Sequence, residues 1–91
     1  MNLPEIIILP APGCRRSRKI LEYLNGQGIP FRRVELDSAE GQELAAQYGF
    51  RASPGILVNG AIVNPFDLLV RPSCRVDDAK ARNIFMADDL R

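Results

Sequence analysis

Residues 6–17 read IIILPAPGCRRS, an apolar run that leads through a short turn into a cysteine and a basic segment. The run Ile6–Leu9 is short, continuous and rich in β-branched residues, which is typical of a strand buried on both faces. Cys14 follows the turn and opens a stretch with helical spacing. The sequence therefore predicts a cysteine at the start of a helix, where free N–H groups and the helix dipole stabilise a thiolate.

The residues after Cys14 are unusually basic for the first turns of a helix, where acidic side chains are favoured. Four cations occur there: Arg15, Arg16, Arg18 and Lys19. A local rule broken beside a candidate nucleophile is typical of a functional site. Two interpretations remain open. Cys14 is either a reactive thiol, whose pKa the helix start and the cations lower, or a half-buried structural cysteine beside a solvated basic face.

The composition of the 91 residues indicates one globular domain, covering residues 1–91, with 46% hydrophobic and 25% charged residues. A net charge of +1 argues against a dedicated nucleic-acid binder. Two cysteines without histidine exclude Cys–His catalysis and make a structural zinc site unfavourable, so we expect no bound metal. The longest apolar run is too short for a signal peptide or a membrane span, which favours the cytoplasm.

The order of elements follows from apolar periodicity and from turn signals. We expect strands at 5–9, 31–36, 56–58 and 61–63, and helices at 15–27, 38–48 and from Ser73 towards Leu90, with a helical turn at 66–70. Asp37 and Glu40 form a capping-box pattern for the second helix, and Asn59-Gly60 is a two-residue hairpin turn. The resulting order, β-α-β-α-β-β-α, predicts an α/β fold with a four-stranded mixed sheet and helices on both faces.

This pattern resembles the glutaredoxins, within the thioredoxin fold, over roughly residues 5 to 70. Four segments carry the resemblance in the expected order. Cys14-Arg15-Arg16-Ser17 is similar to the family's Cys-x-x-Ser motif, and residues 28–37 are similar to its second strand. Ser53-Pro54 stands where the family has a cis peptide bond before a hairpin, and Phe66-Asp67-Leu68 stands near its acidic segment.

The resemblance implies that Cys14 is the nucleophile of thiol–disulfide exchange and that Pro54, in a cis bond, presents the backbone of Ser53 beside it. Ser17 replaces the family's second cysteine. It cannot form a disulfide, but it can donate a hydrogen bond to the thiolate, which makes the arrangement monothiol. Cys74 is either a resolving thiol or a buried free cysteine.

Besides Ser53 and Pro54, three arginines and one aspartate are candidates for binding substrate or glutathione. Arg15 and Arg16 lie within the motif, and Arg51 lies three residues before the proline, where it could meet an acidic group or remain an exposed loop arginine. The resemblance implies that Asp67 binds the ammonium of glutathione. The alternative is that Asp67 is an acid favoured by the start of a short helix.

Two departures from the family pattern predict weaker glutathione binding. Ala11 replaces a lysine, and Asn64-Pro65 replaces a Gly-Gly pair, which removes one N–H donor. The leading hypothesis is a thiol–disulfide oxidoreductase acting on glutathione or on protein thiols and disulfides. The alternatives are a catalytically silent interaction domain and a carrier of a [2Fe–2S] cluster. That cluster needs four ligands and therefore a dimer with two glutathiones. The sequence leaves the oligomeric state open.

Overall fold

The computed structural model describes residues 4–50, 53–70 and 75–85. The elements follow the predicted order: β1 (Ile6–Leu9), α1 (Arg15–Gln27), β2 (Arg32–Arg33), α2 (Ala39–Tyr48), β3 (Gly55–Val58), β4 (Ala61–Ile62), a 3₁₀ turn (Pro65–Leu68) and α3 (Asp78–Phe85). The predicted α/β fold with a four-stranded mixed sheet is confirmed. The first helix has the predicted boundaries, because its apolar stripe and its terminal glycine are both local signals.

The sheet brings the end of β1 and the beginning of β3 together. Its strand order is β2-β1-β3-β4, with β1 parallel to β2 and antiparallel to β3. In the antiparallel register Leu9 pairs with Gly55, so the last residue of β1 lies beside the first residue of β3. The turn that leads to Cys14 and the segment that contains Pro54 therefore meet at the same edge of the sheet.

The main core lies between one face of the sheet, α1 and α3. Its central members are almost completely buried: Ile6, Ile8, Ile20, Leu24, Ile56, Ala81 and Phe85. The opposite face carries Leu9 and Gly55, and the ring of Phe50 lies directly against Gly55. The residue Phe50, which follows α2, therefore covers this second face at Gly55.

The cap of α2 differs from the predicted one. Ser38, not Asp37, is the N-cap residue, and its hydroxyl accepts a hydrogen bond from the N–H of Gly41 at 3.0 Å. The same hydroxyl donates to the carbonyl oxygen of Glu35 at 2.7 Å, which fixes it at the helix start. The capping-box prediction from Asp37 and Glu40 was therefore wrong by one residue, because serine and aspartate are both strong caps and stood next to each other.

The extent of β2 and the start of α3 also differ from the prediction. The second strand spans only Arg32–Arg33, followed by one further bond from Val34 N–H to the Ile8 carbonyl at 3.0 Å, because the chain then turns towards α2. Helix α3 begins at Asp78, and Asp77 caps it by accepting the N–H of Lys80 at 3.1 Å. The predicted cap Ser73 and the end of the predicted helix beyond residue 85 lie outside the described residues.

Candidate active site

Cys14 occupies the N-cap position of α1, at the edge where β1 and β3 meet. Its backbone is extended, with φ −89° and ψ 119°, and its N–H donates to the carbonyl oxygen of Ala11 at 3.2 Å. Gly13 has a φ of 72°, a left-handed conformation that a glycine adopts without strain. The turn therefore places Cys14 at the start of α1, as the sequence predicted, and the residue is half-buried there.

Hydrogen bonds set the protonation of the thiol. Burial raises the pKa of Cys14, but hydrogen bonds from the hydroxyl and N–H of Ser17, the hydroxyl of Ser53 and the N–H of Arg16 outweigh burial and lower the pKa from 9.0 to about 7. Ser17 is 2% exposed, and its oxygen accepts the N–H of Ala11 at 3.1 Å, which orients its hydroxyl. The charges of the neighbouring cations are not among the causes, contrary to the expectation that they would contribute.

Ser53 lies against the thiol. The Ser53–Pro54 peptide bond is cis, and the Ser53 hydroxyl oxygen lies 3.6 Å from the Cys14 sulfur. Pro54, the next residue, is buried. The predicted juxtaposition of a cis proline and the cysteine is confirmed, and it follows from the antiparallel register of β1 and β3.

Arg16 joins three parts of the site. Its Nε–H donates to the carbonyl oxygen of Ser53 at 3.0 Å, and its guanidinium carbon lies 4.8 Å from the centre of the Phe66 ring. Arg16 therefore holds the start of α1 against the proline segment and the 3₁₀ turn. The structure gives Arg16 these partners within the protein, and its predicted role in binding substrate stays a prediction. The role of Phe66 was missed, because no local pattern links two residues fifty positions apart.

Asn64 and Pro65, which replace the Gly-Gly pair of the family pattern, form the start of the 3₁₀ turn. Asn64 caps it by accepting the N–H of Phe66 at 2.9 Å, and Pro65 is buried at its first position. Asp67 is exposed on this turn, one residue after the ring that contacts Arg16. This arrangement leaves Asp67 facing solvent close to the site, and its predicted role in binding an ammonium stays a prediction.

Cys14 also lines a cavity of about 420 Å³ between α1 and the turn 10–13. Arg15 and Arg18 border this cavity, as does Arg33 from β2, which we did not predict as a site residue. The predicted order of parallel strands could have shown that Arg33 lies near this cavity. Parallel strands end at the same edge of a sheet, so the end of β2 must lie near the residues that follow β1.

Two predicted site residues, Arg51 and Cys74, lie outside the described residues, and their roles stay predictions. Within the described part of the chain, Cys14 is the free cysteine and no group of three or more potential metal ligands occurs. A [2Fe–2S] cluster takes four ligands, so the described residues of one chain do not fit it. None of the helices in the described ranges has the length and apolar character needed to cross a bilayer.

Comparison with known structures supports the fold. A single-residue mutant of a thioredoxin-like protein aligns with a TM-score of 0.65 and 15% identity, over 88% of this chain and 92% of that chain. Wheat glutaredoxin aligns with a TM-score of 0.54 and 24% identity, over 86% of this chain and 69% of its own. A buckwheat glutaredoxin–glutathione complex aligns with a TM-score of 0.53 and 15% identity, over 67% and 60%.

Sequence comparison identifies the family. No curated protein matches the chain significantly. The glutaredoxin family model, however, matches residues 6–63, which include β1, Cys14, the cis proline and the hairpin of β3 and β4. This match spans more than half of the chain, and it coincides with the described site. The chain therefore belongs to the glutaredoxin family and is a glutaredoxin-like thiol oxidoreductase.

Proposed function

We propose that this protein catalyses thiol–disulfide exchange by a monothiol mechanism, with Cys14 as the exchanging thiol. One observation carries the proposal. The Cys14 sulfur stands at the N-cap of α1, 3.6 Å from the Ser53 hydroxyl beside a cis proline, and its pKa is lowered to about 7. A thiol whose pKa lies near the ambient pH is the best attacking group in disulfide exchange, because it combines thiolate content with nucleophilicity.

The reaction has two balanced steps. The Cys14 thiolate attacks one sulfur of a substrate disulfide, a Cys14–sulfur bond forms, the substrate S–S bond breaks, and the leaving thiolate takes a proton from solvent. An external thiolate then attacks the substrate sulfur of this mixed disulfide, and Cys14 leaves as a thiolate. The hydrogen bonds from Ser17 that favour the attacking thiolate also stabilise it as the leaving group.

The residues around Cys14 favour protein disulfides or weakly bound glutathione as partners. Pro65 offers no N–H donor, and the N–H of Phe66 is already bonded to the Asn64 side chain. The Ser53 carbonyl oxygen already accepts a hydrogen bond from Arg16. A related buckwheat glutaredoxin binds glutathione, which makes glutathione the first external thiol to test. A reducing compartment such as the cytoplasm suits a free reactive thiol.

The test is reduction of a glutathionylated peptide by the full chain and by two variants. Cys14→Ser removes the attacking thiolate, so we expect exchange to fall to the uncatalysed rate. Cys74→Ser should retain most of the activity, because the mechanism needs only one cysteine. Full activity in the Cys14→Ser protein would refute the proposal. Loss of activity in Cys74→Ser alone would replace it with a two-cysteine mechanism.

A silent interaction domain predicts a different set of results. In that case Cys14 would titrate as an ordinary thiol, the chain would not accelerate exchange, and labelled protein would show no glutathione-dependent NMR shifts near Cys14, Pro54 or Asp67. The pKa of about 7 at Cys14 favours the enzyme over this alternative.

A further inference from the structure

The cavity beside Cys14 is distinct from the surface formed by Ser53 and Phe66. It lies between α1 and the turn 10–13 and reaches Arg33 on β2, whereas Ser53 and Phe66 are not part of its wall. Its volume of about 420 Å³ falls in the range of sites for small molecules, roughly 300–1,000 Å³. Cys14 lines it directly, so a molecule held there has access to the thiol.

The wall of the cavity is strongly cationic. It contains the side chains of Arg15, Arg18 and Arg33, and no carboxylate among its described lining residues. Arg33 uses its Nε–H to bond Glu35 at 2.7 Å, which leaves its two terminal nitrogens for other acceptors. No ion pair of Arg15 or Arg18 is formed with any described residue, and the first turn of α1 contains no acidic side chain.

Three guanidinium groups around one cavity favour a particular kind of ligand. Guanidinium is planar, permanently charged and suited to bidentate bonds with carboxylate or phosphate. Because no described carboxylate lines the wall, the cavity offers no charged partner for an ammonium group. A ligand with two or more negative charges and no positive charge matches these features best.

We propose that this arginine cavity binds a small thiol or disulfide that carries two or more carboxylate or phosphate groups, and that it delivers the sulfur of that molecule to Cys14. The inference rests on the proposed function of Cys14 and adds a class of substrate to it. The Cys14 thiolate attacks the nearer sulfur of the bound disulfide and becomes oxidised to the mixed disulfide, while the other half leaves as a reduced thiolate. The thiolate of a different molecule then attacks the sulfur bound to Cys14, a new disulfide forms, and Cys14 leaves as a thiolate.

Two chromogenic disulfides separate charge recognition from thiol reactivity. Dithiobis(nitrobenzoate) carries two carboxylates, and dithiodipyridine is uncharged at neutral pH. The rate of each reaction is measured by stopped flow in the Cys74→Ser background, so that Cys14 is the thiol observed. The ratio of the two rates, relative to the ratio for a small free thiol, reports the preference of the site for an anion.

We expect the protein to favour the dianionic reagent, and each change Arg15→Gln, Arg18→Gln or Arg33→Gln to lower the rate ratio by roughly three- to tenfold. The preference should weaken in high salt, because the three side chains are exposed. Lys19→Gln is the matched control. It removes the same charge one residue from Arg18, outside the cavity wall, and should leave the ratio unchanged.

The results separate the cavity from the proposed function. Equal ratios in all proteins, or an equal fall in Lys19→Gln and Arg18→Gln, would overturn the cavity proposal, since the effect would then be absent or due only to net charge. The rate of reaction with the neutral reagent reports the reactivity of the Cys14 thiol without any recognition of charge. A reaction with it no faster than that of a free thiol would contradict the proposed activity of Cys14, whatever the rate ratio.

Discussion

At the scale of single residues, Ser17 is the main support of the Cys14 thiolate. Its hydroxyl and N–H both lower the pKa of the thiol, and the hydroxyl is oriented by the N–H of Ala11. We expect Ser17→Ala to raise the pKa of Cys14 from about 7 towards 9.0, because one hydrogen bond to the charged form is lost. The pH at which the rate of alkylation by iodoacetamide is half-maximal measures this pKa.

The same titration distinguishes hydrogen bonding from the charges of the neighbouring cations. Lys19→Gln removes one of those charges and should leave the pKa of Cys14 where it is. A pKa that moves in Lys19→Gln and stays constant in Ser17→Ala would show that the cations stabilise the thiolate instead. Both variants are compared in the Cys74→Ser background, so that a single thiol is followed.

Arg16 acts on the site through two different groups. Its backbone N–H helps to lower the pKa of Cys14, whereas its side chain bonds the Ser53 carbonyl and stacks on Phe66. We expect Arg16→Lys to leave the pKa unchanged, because lysine keeps the backbone N–H. The rate of exchange with a peptide disulfide should fall roughly three- to tenfold, because an ammonium does not reproduce the planar stacked contact.

A control for this change is Arg82→Lys, an equally conservative replacement on α3, where the arginine pairs with Asp78 at 3.4 Å. It should alter neither the pKa nor the exchange rate. Arg16→Lys could instead shift the pKa of Cys14 and leave the maximal exchange rate unchanged. That result would show that the side chain affects the protonation of the thiol and does not position the proline segment.

At the scale of elements, the two glycines within helices have opposite roles. Gly41 in α2 packs against the backbone of Glu35, whose carbonyl oxygen would overlap a Cβ atom at residue 41. We expect Gly41→Ala to destabilise the protein by about 1–3 kcal/mol, because a backbone atom cannot move aside as a side chain can. Gly26 in α1 has no atom within 4 Å of such a Cβ.

Gly26→Ala is therefore the matched control. It should stabilise the protein by about 0.5–1 kcal/mol, the usual difference between alanine and glycine inside a helix. Urea unfolding followed by circular dichroism gives both values. Equal stabilisation by both alanines would mean that α2 can move away from residue 35, and that the close approach is not needed for the fold.

At the scale of the whole molecule, stability depends on the contact between α3 and the sheet. Phe85 is 1% exposed and belongs to the same core cluster as Ile8 and Leu24. We expect Phe85→Ala to cost about 3–5 kcal/mol, a large part of the roughly 5–15 kcal/mol that holds a small domain. Thermal unfolding should remain a single transition if residues 1–91 form one domain.

Ile62 provides the comparison, because it is an equally apolar side chain that is 51% exposed on β4. Ile62→Ala should cost less than about 1 kcal/mol. A similar loss of stability in the two variants would contradict the assignment of the core, and two separate transitions would contradict a single domain.

The elements that were predicted correctly depend on neighbouring residues. Helix α1 was recognised from its apolar stripe and from Gly28, which ends it with a left-handed φ of 69°. The hairpin was recognised from Asn59-Gly60, whose φ angles of 53° and 81° suit a two-residue turn. The errors have different causes. Adjacent Asp37 and Ser38 are equivalent as caps in sequence, whereas the length of β2 depends on its partner β1, which is distant in sequence.

Within the site, the sequence by itself determined that Cys14 begins a helix and that Ser17 lies one turn along it, because hydrogen bonding within a helix is local. The resemblance to glutaredoxins added the cis proline. Only the tertiary structure placed Phe66 beneath Arg16, and Arg33 on the cavity that Cys14 lines. Those contacts depend on strand order and register, which bring together residues from distant parts of the chain and leave no periodic trace in the sequence.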